Sequence, residues 1–174
     1  PSFKGYEGFP TALCISVNSE LVHGFPSDYV LKDGDIVTLD IGACYKGYHG
    51  DSGWTYKVGK VSKEIDYLLE HTEKSLFIGL AQVKPGNRIG DIGHAIETYA
   101  KEHKLGVVRE LCGHGVGTSV HEDPEVPNYG TPNTGPRLKE GMVIAVEPML
   151  TLGSPRIFVH DNDWTIDTQD GSPS

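Results

Sequence analysis

Ile36-Val-Thr-Leu-Asp-Ile41 is the most informative stretch of the sequence, because its β-branched and apolar residues predict a strand. The turn signal Lys32-Asp-Gly-Asp35 stands directly before it. Tyr45-Lys-Gly-Tyr48 has the composition of a hairpin tip, and a returning strand is predicted over residues 51–58, where large apolar side chains alternate with polar ones. The sequence therefore predicts an antiparallel hairpin around which the rest of the chain is arranged.

The hairpin brings two aspartates onto one face. Opposed residues in a hairpin have a constant index sum, which is 91 for Asp40 and Asp51, whereas a two-residue turn at Lys46-Gly47 requires 93. The two carboxylates are thus directly opposed or diagonal, and in both cases they point to the same side. Like charges this close repel unless a cation lies between them. The spacing alone leaves a metal site and a chance pair of strand aspartates open.

Two further residues are out of place for a purely structural role. His114 lies within Gly113-His-Gly-Val-Gly117, where glycines allow backbone or a ligand to approach closely. Glu147 ends the apolar run Met142–Val146, which is predicted to be a strand. Such a carboxylate beside a buried strand needs a partner. An oxygen-rich donor set with one imidazole suits two divalent ions such as Mn, Fe, Co or Zn, which generate hydroxide at neutral pH; the candidate donors are Asp40, Asp51, His114 and Glu147.

A rival grouping uses His49-Gly-Asp51 together with His114. Two histidines and one carboxylate are the ligands of non-haem Fe(II) oxygenases. This grouping leaves Asp40 and Glu147 unexplained. A serine hydrolase has less support, because the sequence contains no Gly-x-Ser-x-Gly elbow.

The rest of the chain alternates helices and strands in blocks. Ser62 is a plausible N-cap for a helix that continues to Leu80, and apolar spacing predicts a second helix from Ile89 to about His103. Residues 124–136, with four prolines, indicate a surface loop. Segregated strands and helices predict an α+β domain with an antiparallel sheet covered by helices on one face. The remaining strands are predicted at Met142–Glu147, Ile157–Val159 and Trp164–Ile166.

Composition excludes several classes of protein. The chain has 174 residues and a formal net charge of −9, which argues against a nucleic-acid-binding surface. The longest aliphatic run, Met142–Val146, is far shorter than the ~20 residues of a membrane span. Three cysteines without paired spacing favour a reducing cytoplasm over a disulfide framework. We expect Cys44 and Cys112 to be small buried side chains.

Taken together, the motifs resemble those of the type I methionine aminopeptidases, which are pita-bread metallopeptidases. The matching pieces occur in the family's order between Tyr6 and about Gln169. They are Leu21-Val-His-Gly-Phe-Pro26, Gly34-Asp-Ile-Val-Thr-Leu-Asp-Ile-Gly42, Gly47-Tyr-His-Gly-Asp-Ser52, Cys112-Gly-His-Gly-Val-Gly117, His121-Glu-Asp-Pro124, Gly141–Met149 and Trp164-Thr165.

The resemblance implies a pita-bread fold with pseudo-twofold halves and a dinuclear metal centre of Co, Mn, Fe or Zn. Asp40 would chelate one metal, Asp51 would bridge both, and His114 and Glu147 would hold the other. Hydroxide would attack the scissile carbonyl, with Glu147 as general base and later proton donor. His121 would stabilise the oxyanion. The remaining catalytic position is His23, near the peptide nitrogen.

The implied substrate is the N-terminal methionine of nascent proteins, whose free α-amine would bind a metal. Four residues match the family's methionine pocket: Tyr6, Phe9, Cys14 and Trp164. Aromatic edges and a thiol pack well against a thioether. We expect a monomer; docking of an N-terminal extension to the ribosome stays open.

Residues 1–174 are expected to form one metallopeptidase catalytic domain that is incomplete at both edges. The family has about two helices before the stretch matching Tyr6 and a second bridging Glu in a strand after the stretch matching Gln169. Two alternatives are kept: an X-Pro peptidase of the same fold, and a non-catalytic binding protein. The short loop Val22–Pro26 and the pocket residues favour the methionine enzyme over the first, and the four retained donors oppose the second.

Overall fold

The computed structural model describes all residues, 1–174, as an α+β arrangement. None of its helices combines the length and apolarity needed to cross a bilayer. A single 3-10 turn at Tyr6–Gly8 precedes the regular elements. In chain order these are β1 Cys14–Val17, β2 Glu20–Val22, β3 Ile36–Tyr45, β4 Tyr48–Lys57, α1 Lys63–Leu80, α2 Ile89–Glu102, β5 Gly106–Val107, β6 Cys112–Gly115, β7 Glu122–Pro127, β8 Leu150–Thr151, β9 Ile157–Val159 and β10 Ile166–Thr168.

The predicted hairpin is confirmed and is longer than expected, because β3 and β4 pair over their full ten residues each. Lys46 and Gly47 form a two-residue turn with φ of 52° and 83°. Positive φ at both positions matches the strand twist, as in type I′ turns. In the resulting register Asp40 is opposite Gly53 and Asp51 is opposite Gly42. The two aspartates are therefore diagonal neighbours on one face of the hairpin.

Both predicted helices are confirmed. The Ser62 side chain accepts a hydrogen bond from the Ile65 N–H at 3.2 Å and caps α1. Helix α2 buries Ile92 and Ile96, which pack with Val126 of β7. At Gly79 of α1 an added Cβ would lie 2.7 Å from the Ile96 side chain. The glycine thus permits the close approach of the two helices.

The strands divide into four small antiparallel sheets rather than one broad sheet. Their orders are β1-β3-β4, β2-β10-β9, β5-β8 and β6-β7. The first sheet carries the two aspartates, and the β6-β7 pair carries His114. The α+β class with antiparallel pairing agrees with the prediction.

Three predictions of local structure are wrong. Residues 142–147 do not form a regular strand; they make three backbone hydrogen bonds with residues 114–116 around an isolated bridge between Gly115 and Ile144. Residues 124–127 belong to β7 rather than to a loop. Their prolines are tolerated because β7 pairs with a single neighbour and so has a free edge. The final strand begins at Ile166, and Trp164 precedes it.

Burial of the cysteines also differs from expectation. Cys14 is buried, Cys112 is partly buried and Cys44 is exposed. Cys44 lies near the tip of the β3-β4 hairpin, where no other element covers the strands. Its exposure follows from the hairpin's reach beyond the core.

Candidate metal centre

Asp40 and Asp51 form the base of the candidate centre. Asp40 Oδ1 is buried and has no hydrogen-bond partner. Burial, together with the adjacent charge of Asp51, raises the pKa of Asp40 to about 8. A carboxylate oxygen in this state lacks the compensation that buried polar groups require. A buried carboxylate oxygen without a hydrogen bond is suited to ligate a cation.

His114 reaches the same point from β6. Its Nδ1 lies 2.8 Å from the Gly115 carbonyl oxygen, which can only accept, so Nδ1 carries the proton. The Nε2 atom then faces Asp51 Oδ2 at 3.5 Å and Glu147 Oε1 at 3.2 Å. A backbone carbonyl that fixes the tautomer in this way is typical of metal-ligating histidines.

The neighbouring glycines let the backbone around His114 pack closely. A Cβ at Gly113 would lie 2.2 Å from the Ala145 carbonyl oxygen, and one at Gly115 would lie 2.3 Å from the Asp123 carbonyl oxygen. The His114 N–H donates to the Ala145 carbonyl at 3.2 Å, and the Ala145 N–H donates to the His114 carbonyl at 2.7 Å. These bonds bring the segment that ends at Glu147 beside His114.

The charges of the cluster favour a bound cation. Burial alone would lower the pKa of His114, but the carboxylates of Asp51 and Glu147 raise it to about 10. Conversely, burial would raise the pKa of Asp51, whereas the His114 imidazole lowers it. Donor atoms of Asp51, His114 and Glu147 all lie within 4.8 Å of one another, and Glu147 Oε1 is a second buried oxygen without a hydrogen bond. This donor set fits a divalent ion. Asp40 is not one of the three donors in the set, but its carboxyl contacts that of Asp51.

Two more histidines border the donors. The His121 ring centroid lies 4.1 Å from that of His114, and His121 Nδ1 lies 3.1 Å from the Tyr6 hydroxyl. His23 follows β2 with a left-handed φ of 59°, and its ring lies 6.1 Å from Trp164. The structure therefore brings both predicted histidines to the candidate site.

An aromatic cluster adjoins the donors. Phe9 and Cys14 are buried in one cluster, and Tyr6 and Trp164 pack against it. Cys14 is the strand partner of Asp40, and burial followed by the charges of Asp40 and Asp51 raises the pKa of its thiol to about 12. All four predicted pocket residues thus meet beside the carboxylates.

Three further members of this cluster were not predicted from the sequence. Phe3 and Val120 are buried with Phe9 and Cys14, and Phe25 packs against Phe9 with ring centroids 5.5 Å apart. All three lie outside regular elements, where no periodic pattern reports which side chains turn inward. Val120 directly precedes His121, which is the only local hint.

The rival histidine grouping is not assembled. His49 Nδ1 is hydrogen-bonded to Ser2 Oγ at 2.8 Å, and His49 is absent from the set of donors that could share an ion.

A cavity of about 920 Å³ reaches the donors from the side of α1, and its wall includes Cys14, His23, Asp40, Asp51 and Glu147. The candidate centre is therefore accessible from outside.

A carboxylate and imidazole cluster within an antiparallel α+β fold is suited to metal-dependent hydrolysis. The chain belongs to metallopeptidase family M24, whose profile matches residues 3–167.

Several of the similar proteins within that family are methionine aminopeptidases. The chain is 57% identical to methionine aminopeptidase 1 of Bacillus subtilis over 171 residues, which cover 98% of this chain and 69% of that protein. A solved methionine aminopeptidase from Thermotoga maritima superposes with a TM-score of 0.97 at 45% identity, covering 99% of this chain and 70% of the other. A prolidase from Pyrococcus horikoshii matches less well, with a TM-score of 0.70 at 31% identity over 79% of this chain and 40% of that one.

Proposed function

We propose that this protein is a metal-dependent aminopeptidase that removes N-terminal methionine from nascent polypeptides. The observation that carries the proposal is the juxtaposition of the Asp51, His114 and Glu147 donor set with the aromatic cluster around Phe9 and Cys14, which we propose as the methionine pocket. The methionine aminopeptidases that match the chain point to the same activity. We further propose that residues 1–174 belong to one catalytic domain and that the protein is monomeric and cytoplasmic.

The proposed ligands of two divalent ions, drawn from Co, Mn, Fe and Zn, are Asp40, Asp51, His114 and Glu147. Asp51 is suited to a bridging role because its carboxylate contacts His114 on one side and Asp40 on the other. Bound divalent ions lower the pKa of water and polarise a carbonyl, which supplies a nucleophile at neutral pH.

The protein's own groups are proposed to move the protons. Glu147 Oε1 has no hydrogen bond and is within reach of His114, so Glu147 can take a proton from the attacking water and return it to the leaving amine. His121 is tethered through Nδ1 to Tyr6, which leaves Nε2 available to donate to the oxyanion. His23 is proposed to steady the peptide nitrogen.

The pocket is proposed to select methionine. Phe9, Phe25 and Trp164 present ring edges and faces to one another at centroid distances of 5.0 Å and 5.5 Å. A thioether packs favourably against such edges. An X-Pro peptidase would need to recognise a proline ring in the second position, and no observation here favours that substrate.

Release of methionine from a Met-Ala-Ser peptide with Mn(II) or Co(II) tests the proposal. The full-length protein is expected to release methionine, whereas its Asp51→Asn variant is expected to release none, because the central donor loses its charge. Asp28→Asn changes an exposed aspartate far from the donors in sequence and should leave the rate unchanged.

Metal uptake measured by calorimetry and a side-by-side assay on an Xaa-Pro peptide separate the alternatives. Stoichiometric metal uptake without methionine release would overturn the proposed activity. Faster cleavage of the Xaa-Pro peptide would replace it with the X-Pro peptidase, and absence of metal uptake would favour a binding protein.

A further inference from the structure

His23 and Trp164 come from distant parts of the chain and meet at the site with ring centroids 6.1 Å apart and an interplanar angle of 78°. Neither lies in a regular element. His23 has the left-handed φ of 59°, a conformation that a non-glycine residue keeps only when its surroundings hold it. The question is what holds both residues in place.

Asn162 holds the backbone at Trp164. Its side-chain oxygen accepts hydrogen bonds from the N–H groups of Trp164 at 3.0 Å and Thr165 at 2.9 Å. This is the local pattern by which an asparagine fixes a turn two and three residues ahead of it. The turn connecting β9 and β10 therefore presents Trp164 in one orientation.

Thr165 continues the same network to His23. The Asn162 amide nitrogen donates to Thr165 Oγ1 at 2.8 Å, and Thr165 Oγ1 donates to the His23 carbonyl oxygen at 3.3 Å. The directions are unambiguous, because an amide nitrogen only donates and a carbonyl oxygen only accepts. Thr165 is 3% exposed, so water cannot readily replace its hydroxyl. This buried hydroxyl therefore links the two segments next to the β2-β10 pairing of Val22 with Ile166.

We propose that Thr165 is a positioning residue, whose hydroxyl, oriented by Asn162, couples the backbone of His23 to the turn that carries Trp164. The role rests on the proposed function, since it is expressed through residues assigned there to the leaving group and to the methionine pocket. Thr165 acts on the reaction through those two residues and has no chemical step of its own.

The chain offers a matched control for this hydroxyl. Thr168 lies three residues further on, at the end of β10, is 1% exposed, and donates through Oγ1 to the Ser172 carbonyl at 2.7 Å. Thr165→Val and Thr168→Val therefore delete the same group at comparable burial, but only the first touches His23. Thr165→Ser retains the hydroxyl and serves as the rescue variant.

In the methionine-release assay, Thr165→Val is expected to lower kcat/KM about tenfold, mostly through kcat, because a displaced group costs rate more than binding. Thr165→Ser and Thr168→Val should stay within about twofold of wild type. Asn162→Asp keeps the acceptor for both N–H groups but draws the Thr165 proton to its carboxylate. It should therefore reproduce the kinetic defect of Thr165→Val.

Trp164 fluorescence in a Trp54→Phe background provides a readout that does not depend on activity. Thr165→Val should shift the emission maximum of Trp164, and Thr168→Val should not. An active wild type with equal losses in Thr165→Val and Thr168→Val, or with no loss in Thr165→Val, would overturn the positioning role. An inactive wild type would instead count against the proposed function, and the fluorescence comparison would still decide the role of Thr165.

Discussion

Asp40 is a residue at which stability and the proposed chemistry conflict. Its Oδ1 is buried without a partner, and Asp51 is its diagonal neighbour across the hairpin. Without a cation, the pair combines desolvation with like-charge repulsion. Functional sites commonly retain such destabilising arrangements because the ligand compensates for them.

In EDTA, Asp40→Asn is expected to raise the free energy of unfolding by about 1–2 kcal/mol, because the neutral amide removes the cost of desolvating or protonating a buried carboxyl beside Asp51. With Mn(II) present the order should reverse, since the variant lacks one proposed ligand. Urea unfolding in both conditions measures the two differences. Asp28→Asn, at an exposed position, should change neither. A metal-free Asp40→Asn protein less stable than wild type would contradict this account.

At the scale of elements, the β3-β4 hairpin and helix α1 follow closely from local chemistry. The Lys46-Gly47 turn sets the register, and the register sets which face carries the aspartates. Ser62 satisfies an orphan N–H at the start of α1. In both cases a feature of one or two residues fixes a long element: the turn fixes the pairing of the hairpin, and the cap fixes the start of the helix.

Ser62→Ala is expected to lower the free energy of unfolding by about 1 kcal/mol, because the first turn of α1 loses its cap. Ser62→Asp, which retains an acceptor and adds a negative charge at the helix N-terminus, should recover most of that loss. Thermal unfolding followed by far-UV circular dichroism measures both. Equal stability of Ser62→Ala and wild type would show that the cap bond contributes nothing.

At the scale of the whole molecule, the proposed ligands come from three separate parts of the fold. Asp40 and Asp51 belong to the β3-β4 hairpin, His114 to β6, and Glu147 to the extended segment before Pro148. A cation held by all of them would tie two sheets and a loop together. Binding to the folded state alone should therefore appear as global stabilisation.

Mn(II) at a hundredfold excess over its dissociation constant is expected to stabilise the protein by about 2.7 kcal/mol per independent site, and EDTA should remove that gain. Asp51→Asn should lose most of it. Ser62→Ala should keep it, since α1 supplies none of the proposed ligands and distant effects add. Differential scanning calorimetry with and without metal checks the three proteins. A metal-independent Tm in wild type would count against a resident cation.

The hairpin, both helices and the α+β class could be predicted from the sequence, because turn chemistry, capping and apolar periodicity are local signals. The sequence also named His114 and Glu147 as anomalies, since a polar residue in an apolar or glycine-rich setting is visible without coordinates. Strand β7, residues 122–127, was not predicted, because prolines locally indicate a loop. They are acceptable in a strand only because β7 has a free edge.

Which of these distant residues come together depends on the tertiary structure. It brought Asp51, His114 and Glu147 within reach of one ion, buried Phe3 and Val120 in the aromatic pocket, and left Cys44 exposed at the hairpin tip. It also joined Thr165 to His23 across 142 positions of chain. These contacts depend on which irregular segments pack against one another. Local sequence patterns do not report such packing, because the segments are far apart in the chain.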